Sequence, residues 1–186
     1  GLQERGVKGG RAERLEDFGP LEGTFAFIGA GDANECAPVL AVVRSASSRV
    51  EALAEMARSL VRLGSVRENE PLGSHTTLRL GGAAALWVSP GSVAELRGVL
   101  RAARLMEVPV EFIGNGSNLL VCDEGFDGLV IHLEGRPWDL REISPDGSTL
   151  TVGAAVSLPG LSRWAAGQGL AGFAFLEGIP GSVGGG

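Results

Sequence analysis

Gly114-Asn115-Gly116-Ser117-Asn118-Leu119-Leu120-Val121 is the stretch from which the fold is predicted. It begins with two glycines and three small polar residues, between apolar runs at residues 108–113 and 119–122 that are typical of buried strands. Glycine adopts backbone conformations that cost other residues about 1–2 kcal/mol. A turn of this composition can therefore point several N–H groups at one place and bind an anion. The alternative is a tight strand-to-strand turn that binds nothing.

A second glycine-rich stretch, Gly-Ile-Pro-Gly-Ser-Val-Gly-Gly-Gly, covers residues 178–186. It also follows an apolar run, at residues 173–176. Ser117 and Asn118 add side-chain donors to the backbone donors of the first stretch, and Ser182 adds a hydroxyl to the second. Two such turns in one chain favour a diphosphate held between two loops over an empty turn.

Composition limits the class of protein. A chain of 186 residues can hold one domain, or one domain and a piece of another. Its net charge is −6 without a basic block, which argues against a nucleic-acid partner. No apolar run approaches the roughly 18 residues of a membrane-spanning helix, and Cys36 and Cys122 have no metal-site spacing. We expect a cytoplasmic protein with reduced thiols, no metal and no membrane segment.

Hydrophobic periodicity predicts alternating strands and helices. Predicted strands cover residues 24–28, 84–88, 108–113, 119–122, 129–133, 140–143 and 149–152, the last two as a hairpin. Three serines are predicted to cap helices, at Ser48, Ser92 and Ser157. The first two form capping boxes with Glu51 and Glu95. Another helix is predicted over residues 35–44. Strand, helix and strand over residues 84–113 predict a parallel pair with a crossover helix. Residues 66–73 are expected to be a linker or entry loop.

Four stretches, in this order, resemble the family of UDP-N-acetylenolpyruvoylglucosamine reductases, flavoenzymes of bacterial peptidoglycan precursor synthesis. They are residues 69–82, 114–128, 153–156 and 169–185. The resemblance implies an α+β fold over residues 66–186, namely an FAD-binding domain of the p-cresol methylhydroxylase type. Such a domain has two α/β subdomains, and we expect it to be incomplete at its C-terminal side here.

The resemblance also implies the cofactor contacts. The flavin diphosphate is expected against Gly114, Asn115, Gly116, Ser117, Asn118 and Leu119, and the second loop is expected to contact the flavin through Gly178, Ile179, Pro180, Gly181, Ser182, Gly184 and Gly185. In that family NADPH reduces FAD, and hydride then passes to the enolpyruvyl double bond to give UDP-N-acetylmuramate. The family's proton donor, polarising arginine and catalytic glutamate follow the second loop. We therefore assign no catalytic residue here and expect the fragment to be inactive alone.

Residues 1–65 do not match that reductase family. The segment Gly-Thr-Phe-Ala-Phe-Ile-Gly-Ala-Gly-Asp at residues 23–32 resembles the end of UDP-N-acetylmuramate–L-alanine ligases. It also begins a dinucleotide-binding pattern, but Asn34 stands in place of the third glycine. A ligase–reductase fusion and an ordinary N-terminal extension both account for this part.

Two rival functions remain open. Other flavin oxidoreductases of the same domain type often attach the flavin to a histidine or cysteine near the glycine loop. Cys122 and His132 are the nearby candidates, and neither lies in such a motif. Cys122 follows three apolar residues, so we expect it to pack as a small hydrophobic side chain. The second rival is a non-catalytic nucleotide-binding or partner-binding module.

Overall fold

The computed structural model describes the backbone of residues 26–28 and 43–186, and side chains from residue 48 onward. The helices are α1 (Val43–Leu60), α2 (Val93–Leu105) and α3 (Leu158–Gly167). The strands are β1 (Ala26–Ile28), β2 (Ser65–Pro71), β3 (Ala83–Ser89), β4 (Val110–Ile113), β5 (Leu119–Val121), β6 (Phe126–His132), β7 (Arg141–Ile143) and β8 (Leu150–Val152). The mixed helix and strand content is that of the predicted α+β class, whereas most of the helix predicted over residues 35–44 lies outside the described residues.

The main sheet has the strand order β2-β3-β6-β4. Strands β3 and β4 both run parallel to β6, which confirms their predicted common direction. The predicted pair is wrong, because β6 lies between them. Leu129, Val130 and Ile131 of β6 are fully buried, as expected for a strand covered on both faces. Strand β6 therefore occupies an inner position, although it comes last of the three in the sequence.

The linker or entry loop predicted over residues 66–73 is wrong, because residues 65–71 form strand β2. This strand pairs antiparallel with β3, with Arg67 opposite Trp87 and Glu70 opposite Ala84. Its charged side chains suggested a loop, but charges are also common on edge strands, where they discourage pairing with another molecule.

Helix α1 begins at Val43, so the predicted cap at Ser48 is wrong. A capping pattern identifies a residue that is able to cap a helix. Here the helix begins five residues earlier, so Ser48 lies inside it. The caps at Ser92 and Ser157 are confirmed: their hydroxyls accept hydrogen bonds at 3.2 Å from the N–H groups of Glu95 and Gly160.

Two layers of apolar side chains cover the main sheet. On one face, α1 and α2 pack against β3 and β6 through Leu53, Ala57, Leu86, Val99 and Leu129 and their neighbours. Helix α1 thus shares this core although it precedes residue 66, where the sequence predicts the domain to begin. That boundary stays a prediction.

On the other face of the sheet, Trp87, Ile113 and Val130 pack with Leu72 and Val121. Strand β5 pairs in parallel with β1, with Leu119 opposite Ala26. A separate cluster joins α3 to the predicted β7–β8 hairpin, which is confirmed. No helix among the described residues is long and apolar enough to cross a membrane.

Candidate functional site

The first glycine loop, residues 114–118, joins the end of β4 to the start of β5. Gly116 has a φ of +60°, a conformation that favours glycine. A Cβ atom on Gly116 would overlap the carbonyl oxygen of His75. The carbonyl of Gly116 accepts a hydrogen bond at 3.0 Å from the N–H of Thr77. Both backbone angle and close packing therefore require glycine at this position.

The backbone donors of this loop are available for a ligand. Between described residues, no backbone hydrogen bond is donated by the N–H groups of Asn115, Gly116 or Ser117. The loop follows the carboxyl end of a parallel strand, the edge at which open α/β sheets bind ligands. Consecutive uncommitted N–H groups around a left-handed glycine are a typical anion-binding arrangement.

The second glycine loop lies against the first. The amide Nδ2 of Asn115 donates a hydrogen bond at 3.0 Å to the carbonyl oxygen of Gly181. A Cβ atom on Gly114 would lie 2.8 Å from the Oγ of Ser182, which is only 5% exposed. The N–H of Leu158, at the start of α3, donates to the same Gly181 carbonyl at 3.0 Å. The structure thus brings together residues 114–117 and residues 181–182, which the sequence predicts as one site.

Other predicted contact residues lie farther from this junction. Leu119 packs on the apolar cluster beneath the loop, and Gly184 donates its N–H to the carbonyl of Ala154 at 2.9 Å. Gly178, Ile179 and Pro180 are exposed in the segment that leads into the second loop. Direct contacts of these residues, and of Asn118 and Gly185, with a cofactor stay predictions.

A cavity of about 250 Å³ opens beside the first loop. It is lined by Ser74, His75, Thr76, Thr77, Gly114, Asn115 and His132. The sequence predicted no ligand role for the first four, and it offered His132 only as a candidate for covalent flavin attachment. The available signal was the His75-Thr-Thr stretch, which belongs to the segments carrying the family resemblance but was not assigned a contact.

Three rings stack along one wall of this cavity. The ring of His75 lies 4.0 Å from that of Trp87 at an interplanar angle of 27°, and the ring of His132 lies 5.2 Å from Trp87. The Nε2 of His75 is 2.8 Å from a carboxylate oxygen of Glu70. That hydrogen bond, more than the nearby Arg67 guanidinium, lowers the pKa of Glu70, against the opposing effect of burial. Glu70 is therefore ionised and holds the His75 ring in place through this hydrogen bond.

A larger crevice, about 570 Å³, lies at the carboxyl ends of β3 and β6. Arg67, Glu134 and Arg136 contribute to its lining, and the buried Oγ of Ser65 has no partner among the described residues. The two glycine loops do not line it, and its charges have mixed sign. We therefore place the candidate site at the smaller cavity, which is lined by Gly114 and Asn115 of the first glycine loop.

The chemistry of the candidate site is that of binding. It offers uncommitted backbone N–H groups, hydroxyl groups and two imidazoles, which suit a ligand that carries phosphate. Among the described residues, no cluster of three or more His, Cys, Asp or Glu is placed to hold a metal ion. Gly116 packs so closely on the carbonyl of His75 that a side chain there would displace the loop, so the shape of the loop depends on glycine.

Comparison with known proteins gives the same ligand class. The model of the family described as "FAD binding domain" matches residues 84–186. The UDP-N-acetylenolpyruvoylglucosamine reductase of Desulforamulus reducens is 44% identical over 133 residues, which is 72% of this chain and 43% of that protein. The protein of that name from Moorella thermoacetica is 46% identical over 120 residues, covering 64% of this chain and 38% of its own length.

A solved structure is similar as well. The crystal structure of UDP-N-acetylenolpyruvylglucosamine reductase from Thermus caldophilus aligns with a TM-score of 0.51 at 37% identity, covering 66% of this chain and 40% of that one. The chain thus spans about two fifths of the length of the relatives it matches. Because the family model covers more than half of the 186 residues and includes both glycine loops, this chain belongs to the FAD binding domain family.

Proposed function

We propose that this chain is the FAD-binding part of an NADPH-dependent reductase that converts UDP-N-acetylglucosamine enolpyruvate to UDP-N-acetylmuramate in the cytoplasm. The observation that carries the proposal is the pair of joined glycine loops, in a chain 44% identical to reductases of that name. The proposed reaction would supply a peptidoglycan precursor, which connects the protein to cell-wall synthesis and cell shape.

Within this function the described residues bind and orient the cofactor. The N–H groups of Asn115, Gly116 and Ser117 bind the diphosphate, and the hydroxyls of Ser117 and Ser182 are close enough to the loop junction to assist. Bound FAD would supply the chemistry of hydride transfer between NADPH and the enolpyruvyl group. The protein supplies orientation and electrostatics around that cofactor.

We place the groups that contact the UDP-sugar and protonate the product outside residues 1–186. The relatives are more than twice as long as the part matched here, which leaves room for a substrate domain. We also propose that residues 1–65 include the tail of a ligase-like domain, so that two consecutive enzymes share one chain. An ordinary N-terminal extension is the alternative.

The decisive experiment separates cofactor binding from turnover. The purified chain should bind FAD, measured by flavin fluorescence during titration, with one FAD per chain at saturation. Supplied with FAD, NADPH and the enolpyruvyl substrate, it should show no substrate-dependent NADPH oxidation, whereas a protein extended through a substrate domain should turn over. Failure to bind FAD in either form contradicts the proposed function. Equal turnover by both forms would show that the catalytic groups lie within residues 1–186.

A further inference from the structure

Both histidines of this chain lie at one cavity. Their ring centroids are 6.2 Å apart, and each ring also lies close to the buried Trp87. The His75 and His132 side chains are 23% and 22% exposed, so each is mostly packed and presents only part of its ring to the cavity. The fold therefore fixes the orientation of two titratable groups beside the glycine loop.

Each imidazole has one nitrogen engaged by an acceptor. The Nδ1 of His132 lies 2.9 Å from the carbonyl oxygen of Ile113, which can only accept, so Nδ1 carries a hydrogen. The Nε2 of His75 lies 2.8 Å from the ionised carboxylate of Glu70, so Nε2 carries a hydrogen. Among the described residues, no hydrogen bond engages the remaining nitrogen of either ring; His132 Nε2 is 4.0 Å from Glu134.

The remaining nitrogens, Nδ1 of His75 and Nε2 of His132, are the imidazole atoms left to contact a ligand. In a neutral imidazole whose other nitrogen carries the hydrogen, this nitrogen presents a lone pair, which repels an oxyanion. Protonation converts it into a charged N–H donor, and charge-assisted hydrogen bonds to phosphate are about twice as strong as neutral ones. Imidazole is the side chain that changes charge near neutral pH. An oxyanion in this cavity would therefore select the protonated form of both rings.

The charged groups around the two rings also favour the protonated form of the imidazoles. None of the seven residues that line the cavity is lysine or arginine. The charged groups in contact are Glu70, which is shared by His75 and Arg67, and Glu134 near His132. Arg67, Glu70 and a protonated His75 together carry one net positive charge. Apart from His75 itself, the segment at residues 72–77 and the glycine loop add only hydroxyl, amide and backbone groups to the lining.

We propose that His75 and His132 together bind a phosphate oxyanion of the cofactor, with each imidazole ring in its doubly protonated state. Cofactor binding would then take up protons. The inference rests on the proposed function, since it takes FAD as the ligand. It adds two side chains to a loop that otherwise binds through backbone N–H groups. Hydrogen bonding to Glu70 and stacking on Trp87 hold His75 ready for this contact before the ligand arrives.

The first test observes the imidazoles directly. Because the chain has only two histidines, nitrogen NMR of the full protein should show two rings. At about pH 8 without ligand, where imidazoles are mostly neutral, His132 should be protonated on Nδ1 and His75 on Nε2. Saturation with FAD, or with inorganic pyrophosphate as a minimal probe, should shift both rings to the doubly protonated pattern. Unchanged protonation in the complex overturns the proposal, and a shift with FAD alone overturns the assignment to phosphate.

The second test uses affinity. The diphosphate of FAD is a diester with constant charge near neutral pH, so a pH-dependent Kd reports on the protein. Between about pH 6 and 8 the Kd should rise with pH, at most about tenfold per pH unit for each linked proton. His75→Gln and His132→Gln should each flatten the dependence, whereas Arg104→Gln, a loss of charge on an exposed part of α2, should leave the slope unchanged.

The outcomes separate the two proposals. FAD binding with the same affinity at every pH would overturn the proposed binding by the two histidines. A dependence of Kd on pH that persists in the double His→Gln variant would do the same, and either result leaves the proposed function standing. Absence of FAD binding at every pH contradicts the proposed function itself. If a variant fails to fold by circular dichroism, the NMR measurement on the unmodified chain still decides the matter.

Discussion

Asn115 donates a hydrogen bond from its side-chain amide to the backbone carbonyl of Gly181, 66 positions later in the chain, at a distance of 3.0 Å. This contact joins the first glycine loop, which follows β4, to the second glycine loop. Leu158 donates to the same carbonyl, so the N-terminal end of helix α3 supports the junction. The two loops are therefore joined before a ligand is bound, which lowers the ordering cost of binding.

Replacing Asn115 with alanine should weaken FAD binding without unfolding the protein. A hydrogen bond of this kind contributes about 0.5–1.5 kcal/mol, which corresponds to a Kd about two- to tenfold higher. The measurement is FAD titration by fluorescence, together with thermal unfolding. Gln168→Ala, which removes an exposed amide side chain at the end of α3, is the matched control and should leave the Kd unchanged. Equal Kd values for Asn115→Ala and the parent would show that the contact does not contribute to binding.

Gly116→Val and Gly114→Val should each abolish FAD retention. At Gly116 a side chain meets both an unfavourable φ and the carbonyl of His75, and at Gly114 it meets the Oγ of Ser182. Gly147→Val is a suitable control, since Gly147 has a φ of +70° in the hairpin turn but nothing within 4 Å of an added Cβ. It should lose about 1–2 kcal/mol of stability and keep its FAD. Stoichiometric flavin absorbance in both loop variants would contradict a diphosphate role for this loop.

Local patterns predicted the elements whose causes are local. The glycine turn, the hairpin and the helix caps at Ser92 and Ser157 depend on residues a few positions apart. The cap predicted at Ser48 failed because the helix continues upstream of it. Strand β2 was mistaken for a linker because pairing with β3, which no local pattern encodes, decides whether a charged segment is extended.

The site was predictable only where glycine carried the signal. His75 and His132 have no common motif, and they meet because the turn after β2 and the end of β6 both reach the loop that follows β4. The position of β6 between β3 and β4 is a property of the whole sheet. Without that strand order, neither histidine could be placed beside Gly114.

FAD should be held without a covalent bond to Cys122. The Cys122 thiol is free and half-buried at the end of β5, which is less buried than the sequence suggested. Acid precipitation of the flavin-loaded protein should release all the flavin into the supernatant. Yellow colour that stays in the pellet, and disappears in Cys122→Ala but not in His132→Ala, would support the rival class of covalent flavin oxidases.

Glu95 should stabilise the fold through backbone contacts. This residue is only 7% exposed, and its carboxylate accepts hydrogen bonds from the N–H groups of Arg62, Leu63 and Gly91 at 2.7–2.9 Å. It thereby connects the end of α1 to the start of α2. The sequence pattern predicted a capping box with Ser92, but the carboxylate instead reaches the preceding loops. Glu95→Gln should cost about 1–3 kcal/mol, because one oxygen is replaced by a donor that faces other donors.

The same contacts predict a pH dependence of stability. Burial acts to raise the pKa of Glu95, but the hydrogen bonds from Leu63, Arg62 and Gly91 outweigh it, and the pKa lies below its ordinary value. A depressed pKa in the folded state means that the ionised carboxylate stabilises the protein above the unfolded pKa of about 4.3 and that this contribution is lost as the pH falls through the folded value. Urea unfolding followed by circular dichroism, at about pH 7 and about pH 3.5, should show a smaller acid-induced loss in Glu95→Gln than in the parent. Glu55→Gln, an exposed change on α1, should keep the parental loss, and an identical loss in all three proteins would rule out Glu95 as a source of the acid sensitivity.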